Sequence, residues 1–137
     1  MQTVIAYLLL LITGMGVQAQ NTIEVSLSQF DSNDGKVMVG LYNEKGSFLD
    51  ETFLSLSSEI SDQTAKVTFT NIPDGVYAIS SYHDEDDNGE LNMFIGMFPT
   101  EPYGCSNGAR GHFGPPTWED AKFEVLGGEI RKMDIKM

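Results

Sequence analysis

Beyond residue 20, apolar and polar residues alternate along most of this chain with a period of two. Ile23, Val25 and Leu27 alternate with Glu24, Ser26 and Ser28, the pattern of a strand with one buried face. Ser32-Asn33-Asp34-Gly35 is a turn signal, and Val37, Val39 and Leu41 then repeat the alternation over 36–42; the two segments read as a hairpin. Val67 and Phe69 alternate with Lys66, Thr68 and Thr70 over 65–70. Asn71-Ile72-Pro73-Asp74-Gly75 follows, where proline pre-sets φ and glycine supplies positive φ, so the chain reverses. The next strand, 76–83, begins apolar on both faces (Val76 and Ala78; Tyr77 and Ile79), as a central strand covered on both sides does. Tyr77 stands just after the turn, where the tyrosine corner of an immunoglobulin-like sandwich places a hydroxyl to pin the turn before it. Ala121, Phe123 and Val125, the dipeptide Gly127-Gly128, and Met133, Ile135 and Met137 read as a second hairpin. Its last strand should be tied into a sheet. Many short strands and no long helical pattern predict an all-β, immunoglobulin-like antiparallel β-sandwich.

Two stretches break the alternation. In 43–62, Phe48, Leu49, Phe53, Leu54 and Leu56 call for burial at spacings that fit neither period, so the segment reads as a meandering connection with room for one helical turn. The second stretch, 84–120, is rich in Gly, Pro and Asn. It also carries Met93, Phe94, Ile95, Met97, Phe98, Tyr103, Phe113 and Trp118. Disordered segments are poor in such residues, so an ordered loop packed on the sandwich is expected.

The N-terminus changes the picture of where the domain works. Residues 1–19 carry no charged side chain, 4–12 is an apolar run too short to span a bilayer, and Val17-Gln18-Ala19 offers small residues at a cleavage site. This is the pattern of a signal peptide over 1–19. Residues 20–137 are then a single β-sandwich domain, secreted or periplasmic, with no transmembrane span after signal removal and no cysteine near the cleavage point to carry a lipid. The formal net charge is −12, which excludes nucleic-acid binding through phosphate neutralisation and disfavours anionic lipid. Acidic surfaces attract divalent cations instead. Cys105 is the only cysteine, so no intrachain disulfide forms and burial is its expected fate. A monomer is expected.

The densest candidate chemistry is His83-Asp84-Glu85-Asp86-Asp87-Asn88-Gly89-Glu90-Leu91-Asn92. Calcium takes six to eight hard oxygen ligands, and an EF-hand loop supplies them at positions 1, 3, 5, 7, 9 and 12 around a glycine at 6. With Asp84 at position 1, Asp86 falls at 3, Asn88 at 5, Gly89 at 6, Glu90 at 7 through its carbonyl and Asn92 at 9. Ile95 stands at 12 in place of the bidentate glutamate, and a strand rather than a helix enters the loop, so this is not an EF-hand. A further carboxylate must come from Glu101, Glu119 or Asp120. The competing reading is a solvated acidic turn. Against it, five carboxylates in seven residues repel one another, and a cation would relieve that. His83 and His112 would suit another metal but lack a spacing motif. With its twelfth ligand missing, the site should bind calcium with a Kd of about 10⁻⁴ to 10⁻³ M, as extracellular modules do.

The block 69–78, His83-Asp84-Glu85, 88–91, Gly96, 101–107 and 113–121, together with 39–43 and Phe48, resembles one family, the secreted bacterial domain of unknown function 2141. The resemblance spans nearly all of the chain after the signal. It implies an exported one-domain β-sandwich and no established activity. Members of that family usually carry an apolar residue, often Phe, at the position of Cys105, which counts against a catalytic thiol, and often Asp at the position of Asn92. The Phe-x-x-Ile-Pro-x-Gly-x-Tyr block is also similar to transthyretin-like and carboxypeptidase-regulatory-like sandwiches, which are mostly binding or structural modules.

Three functional readings follow. The first is a non-catalytic exported binding or structural domain of the cell envelope with a calcium-ordered acidic loop, and no catalytic residue is assigned in it. The second is a small secreted hydrolase of esters or glycosides, drawing on the loop carboxylates or on Cys105 or Ser106 with His83 or His112. It lacks a Gly-x-Ser-x-Gly elbow, a phosphate loop and a zinc-protease helix. The third is a carbohydrate- or peptide-binding module whose face is Tyr82, Phe98, Tyr103 and Trp118; the plainer view makes these the loop's own core.

Overall fold

The structure, a computed structural model, describes residues 20–87, 93–94, 98–99, 102–111 and 114–137. The 1–19 segment read as a signal peptide lies outside the described residues. Strands β1 (Asn21–Ser28), β4 (Ala65–Ile72) and β10 (Ile130–Lys136) form a three-stranded sheet in the order β10-β1-β4. The larger sheet runs β3 (Leu54–Glu59), β2 (Lys36–Tyr42), β5 (Gly75–Asp84), β8 (Tyr103–Cys105), with β9 (Phe123–Val125) pairing the start of β5. A short ribbon joins β6 (Met93–Phe94) to β7 (Phe98–Pro99). The expected all-β sandwich is what the chain forms. Among the described residues, every strand pairing is antiparallel except β1 with β10, which is parallel.

The alternation built the core as its period demands. Ile23, Val25 and Leu27 of β1, Val67 and Phe69 of β4 and Met133 and Ile135 of β10 face Val37, Val39 and Leu41 of β2 and Tyr77 and Ile79 of β5. Each such side chain removed from water contributes about 1.5–3 kcal/mol. Strand β5 is central, as its two apolar faces predict. The Tyr77 hydroxyl donates to the Pro73 carbonyl at 2.7 Å, completing the expected tyrosine corner.

Two expected hairpins do not form. β1 and β2 lie in different sheets, because the connection between them carries Phe30 into the core, 2% exposed. Alternation fixes which face of a strand is buried and is silent on its neighbour. Likewise β9 pairs with β5, and β10 crosses to β1. Gly127 and Gly128, at φ 74° and 73°, make a tight turn as read, but it carries the chain from one sheet to the other.

The 43–62 segment is also more regular than expected. The helical turn is a 3-10 turn over Lys45–Ser47, and β3 follows it. Leu49, Phe53, Leu54 and Leu56 remain partly exposed, contrary to the expectation of burial. β3 is the outer strand of the larger sheet, paired on one edge alone, and its side chains stay largely in contact with water.

A second, smaller core lies on the outer face of the larger sheet. Ala78, Cys105, Ala109 and Ala121 are buried there, with Phe48 and Trp118 packed against them. Phe48 meets Tyr42 and Trp118 edge-on at 5.2 and 5.9 Å. The four-residue helix α1 (Trp118–Ala121) is capped by Thr117, whose hydroxyl accepts from the Asp120 N–H. Cys105 is buried, as expected. So residues 103–109 and 118–121 of the 84–120 loop pack on the sandwich.

Candidate functional site

The acidic loop leaves the sandwich at the end of β5, where Asp84 stands opposite Lys36 of β2. His83 and Asp84 are both fully buried. The imidazole of His83 sits on the core side of the sheet, edge-on to Phe30 at 5.2 Å. Its Nε2 is 2.6 Å from the Asp34 carbonyl oxygen, which fixes Nε2 as the donor because a carbonyl only accepts. Its Nδ1 has no hydrogen-bond partner among the described residues and lies 3.7 Å from Glu85 Oε1. The His83 N–H donates to the Pro102 carbonyl at 2.9 Å, so the middle of the 84–120 segment is pinned beside its start.

The turn at 34–35 supports the same point from below. Gly35 has φ 65°, and a Cβ there would collide with the Asp84 carbonyl oxygen. Only glycine lets the two backbones approach this closely. The chain then turns, with Glu85 N–H on the His83 carbonyl at 3.0 Å and Asp87 N–H on the Asp84 carbonyl at 3.3 Å. Asp87 pairs with Lys36 at 3.0 Å, and that hydrogen bond and charge hold the Lys36 ammonium above its usual pKa. The pair is exposed and contributes little to stability.

Of the five expected calcium ligands, Asp84 and Asp86 are described, the first buried and the second exposed. Asn88, Glu90 and Asn92 lie outside the described residues, as do Glu101 and His112. No group of three or more His, Cys, Asp or Glu gathers as a metal cluster among the described residues. Glu119 is engaged elsewhere: it accepts from Lys122 Nζ at 2.6 Å and pairs with Lys45 at 3.5 Å, and these cations hold its carboxyl below the usual range. Asp120 is exposed on α1.

The hydrolase candidates are held apart. Cys105 pairs with Ser80 and points to the outer face of the larger sheet, whereas His83 points to the inner face. Burial pushes the Cys105 thiol up, only partly offset by Ser80 and the charge of Arg110, which is the reverse of an activated nucleophile. The Ser106 hydroxyl is committed to structure. It accepts from the Ile79 N–H at 3.0 Å and donates to the Ala121 carbonyl at 2.6 Å, bolting α1 to β5. Of the expected aromatic face, Tyr82 and Tyr103 are opposite one another in β5 and β8, half-buried on the outer face, while Trp118 belongs to the second core. Phe98 is in β7, and its side chain lies outside the described residues.

Sequence reasoning missed Asp34, Gly35 and Lys36 as the frame of this site. The signal was present in Asn33-Asp34-Gly35, a turn needing positive φ, but nothing in it names the strand end on which it sits.

These features define a small β-sandwich domain with one long decorated loop. The family described as "Uncharacterized protein conserved in bacteria (DUF2141)" matches residues 25–133, and the chain belongs to it. Neither a curated protein nor a solved structure matches the chain.

Proposed function

We propose that this chain is an exported, non-catalytic binding or structural domain of the cell envelope, acting as a monomer, whose acidic loop over 84–92 takes up calcium. The observation that carries the reading is the placement of Asp84. It is fully buried at the mouth of a carboxylate-rich loop, on a backbone held by the His83–Asp34 contact and by Gly35. Asp86 follows two residues later and faces solvent. A first ligand on a rigid strand end, with Asp86 on the turn that follows it, lets a cation be bound without ordering the whole chain. The non-catalytic part rests on the buried thiol and the structural hydroxyl of Ser106.

Thermal melts of the purified protein in EGTA, in calcium and in magnesium test this, with Asp86→Asn alongside. At about 2 mM calcium and a Kd near 0.1 mM, linkage adds about 1.8 kcal/mol, a rise in Tm of about 5–8 °C for a domain of this size. The rise should be selective for calcium and absent in the variant. Equal melting curves in EGTA and calcium would reduce 84–92 to a solvated turn.

A further inference from the structure

The edge of the larger sheet, β8, and the edge of the smaller, β10, meet at one side of the sandwich. Their seam holds a cavity of about 300 Å³ with Tyr103, Arg110, Asp134 and Lys136 in its walls. This is the lower end of the size range of small-molecule sites. Two glycines shape it. At Gly104 a Cβ would come within 2.6 Å of Ile135 Cγ2 and 2.9 Å of the Lys136 carbonyl oxygen, so its absence lets β10 lie directly on β8 and close the base. Gly108 follows Asn107 in the left-handed region, φ 63° after 59°. A Cβ at Gly108 would meet nothing within 4 Å, so the turn bounds open space.

The charges in this seam run against the rest of the molecule. Only eight residues of the chain are Lys or Arg, against twenty acids, yet two of the eight line this one small cavity from distant parts of the sequence. Among the described residues neither Arg110 nor Lys136 is in an ion pair, as is also true of Lys66, Arg131 and Lys132, while Lys36, Lys45 and Lys122 are paired; what sets Arg110 and Lys136 apart is that they share one cavity. The Arg110 guanidinium is close enough for its charge to act on the Cys105 thiol at the cavity wall. Two cations in the walls of one cavity of an otherwise acidic protein raise the local potential for an anion. A guanidinium fork fits a carboxylate through two parallel hydrogen bonds. Asp134 shares the wall and would repel a ligand that is anionic throughout. It would accept hydrogen bonds from one carrying hydroxyls or an ammonium group.

We infer that the β8–β10 seam is a second site, which binds a small carboxylate that also carries hydrogen-bond donors: a sugar acid or an amino acid. The carboxylate sits between Arg110 and Lys136, and the donors face Asp134 with the Tyr103 ring alongside. The site is independent of the acidic loop.

Calorimetric titration of the purified protein in EGTA tests it, with D-glucuronate, L-alanine, D-glucose and inorganic phosphate as probes. Saturable binding of glucuronate or alanine is expected with a Kd of about 1 mM or tighter, and the two arms separate the sugar-acid from the amino-acid source. Glucose, lacking the carboxylate, and phosphate, lacking the carbon-borne donors, should bind at least tenfold more weakly. Arg110→Ala and Lys136→Ala should each weaken binding about tenfold or more. Both side chains are exposed, so an unchanged Tm will show that the fold is intact. No heat with either carboxylate up to about 10 mM, or binding that survives both substitutions, overturns the inference. Because calcium is absent throughout, neither result depends on the loop.

Discussion

Asn21 Nδ2 donates to the Asp74 carboxylate at 2.8 Å, across 53 residues of sequence. The same amide donates to the Ile72 carbonyl at 2.9 Å, and Asn21 Oδ1 accepts from the Glu129 N–H at 2.9 Å. Asp74 in turn accepts from the Gly127 N–H at 3.2 Å. One fully buried side chain thus ties β1 to the turn before β5 and to the turn before β10. Removing it strands a buried carbonyl and a backbone N–H, each costing about 1–3 kcal/mol. Asn21→Ala should therefore lower the unfolding free energy by about 2–4 kcal/mol, read from urea denaturation at 25 °C. A loss within the experimental error of such curves would show that water replaces the amide freely.

Tyr77→Phe tests the neighbouring corner more gently. It deletes only the hydroxyl that donates to Pro73 and leaves the ring in the core. The expected loss is about 1 kcal/mol, measured as a lower urea midpoint at unchanged slope.

Alkaline stability has a definite sign. Burial raises the ionisations of Cys105, Tyr42 and Tyr77 above their ordinary values near 9 and 10. As pH rises, the unfolded chain releases these protons first, so the balance tilts towards unfolding. The stabilisation is complete below about pH 9 and is lost as pH climbs through the raised folded values. Denaturation midpoints taken from pH 7 to 11 should fall from about pH 9 onward, and Cys105→Ala should remove the earliest part of that fall. In the native protein at pH 8, thiol reagents should label Cys105 slowly, and unfolding should expose it.

Val39 and Leu56 are opposite each other in β2 and β3, on the same face of the sheet, yet Val39 is 1% exposed and Leu56 38%. Val39→Ala should cost about 2 kcal/mol through the cavity it leaves. Leu56→Ala should cost under about 1 kcal/mol, because water already reaches the side chain. Equal losses would mean that β3 is covered in solution.

Gly35→Ala forces a left-handed φ on alanine and drives its Cβ into the Asp84 carbonyl. A loss of about 2–4 kcal/mol is expected, with any calcium response of the melt weakened along with it. A calcium response that survives a strongly destabilising Gly35→Ala would separate the loop from this frame.

The strands β1, β2, β4, β5 and β10 were legible because each alternates with few exceptions, and the Pro73–Gly75 turn and Tyr77 fixed the corner by local chemistry alone. What alternation could not show is partnership. Phe30 diverts the chain between sheets, and no pattern within residues 23–42 distinguishes that from a hairpin. β3 escaped notice because Leu54 and Leu56 alternate only with serines, after an irregular run of Phe and Leu. At the candidate site, the carboxylates were legible as a cluster. The burial of Asp84 and the support from Asp34 and Gly35 depend on a contact between segments about fifty residues apart in sequence. The placement of Arg110 and Lys136 in the walls of one cavity depends in the same way on β10 lying against β8.

The parallel pairing of β1 with β10 also sets an order of events during synthesis. Among the described strands β1 comes first and β10 last, so this edge of β1 has no partner until residues 130–136 have been made. A chain that stops short of β10 can pair β1 with β4 but cannot complete the three-stranded sheet, and contacts of such long sequence range form slowly. Completion of the smaller sheet is thereby postponed until β10 is available to pair with β1.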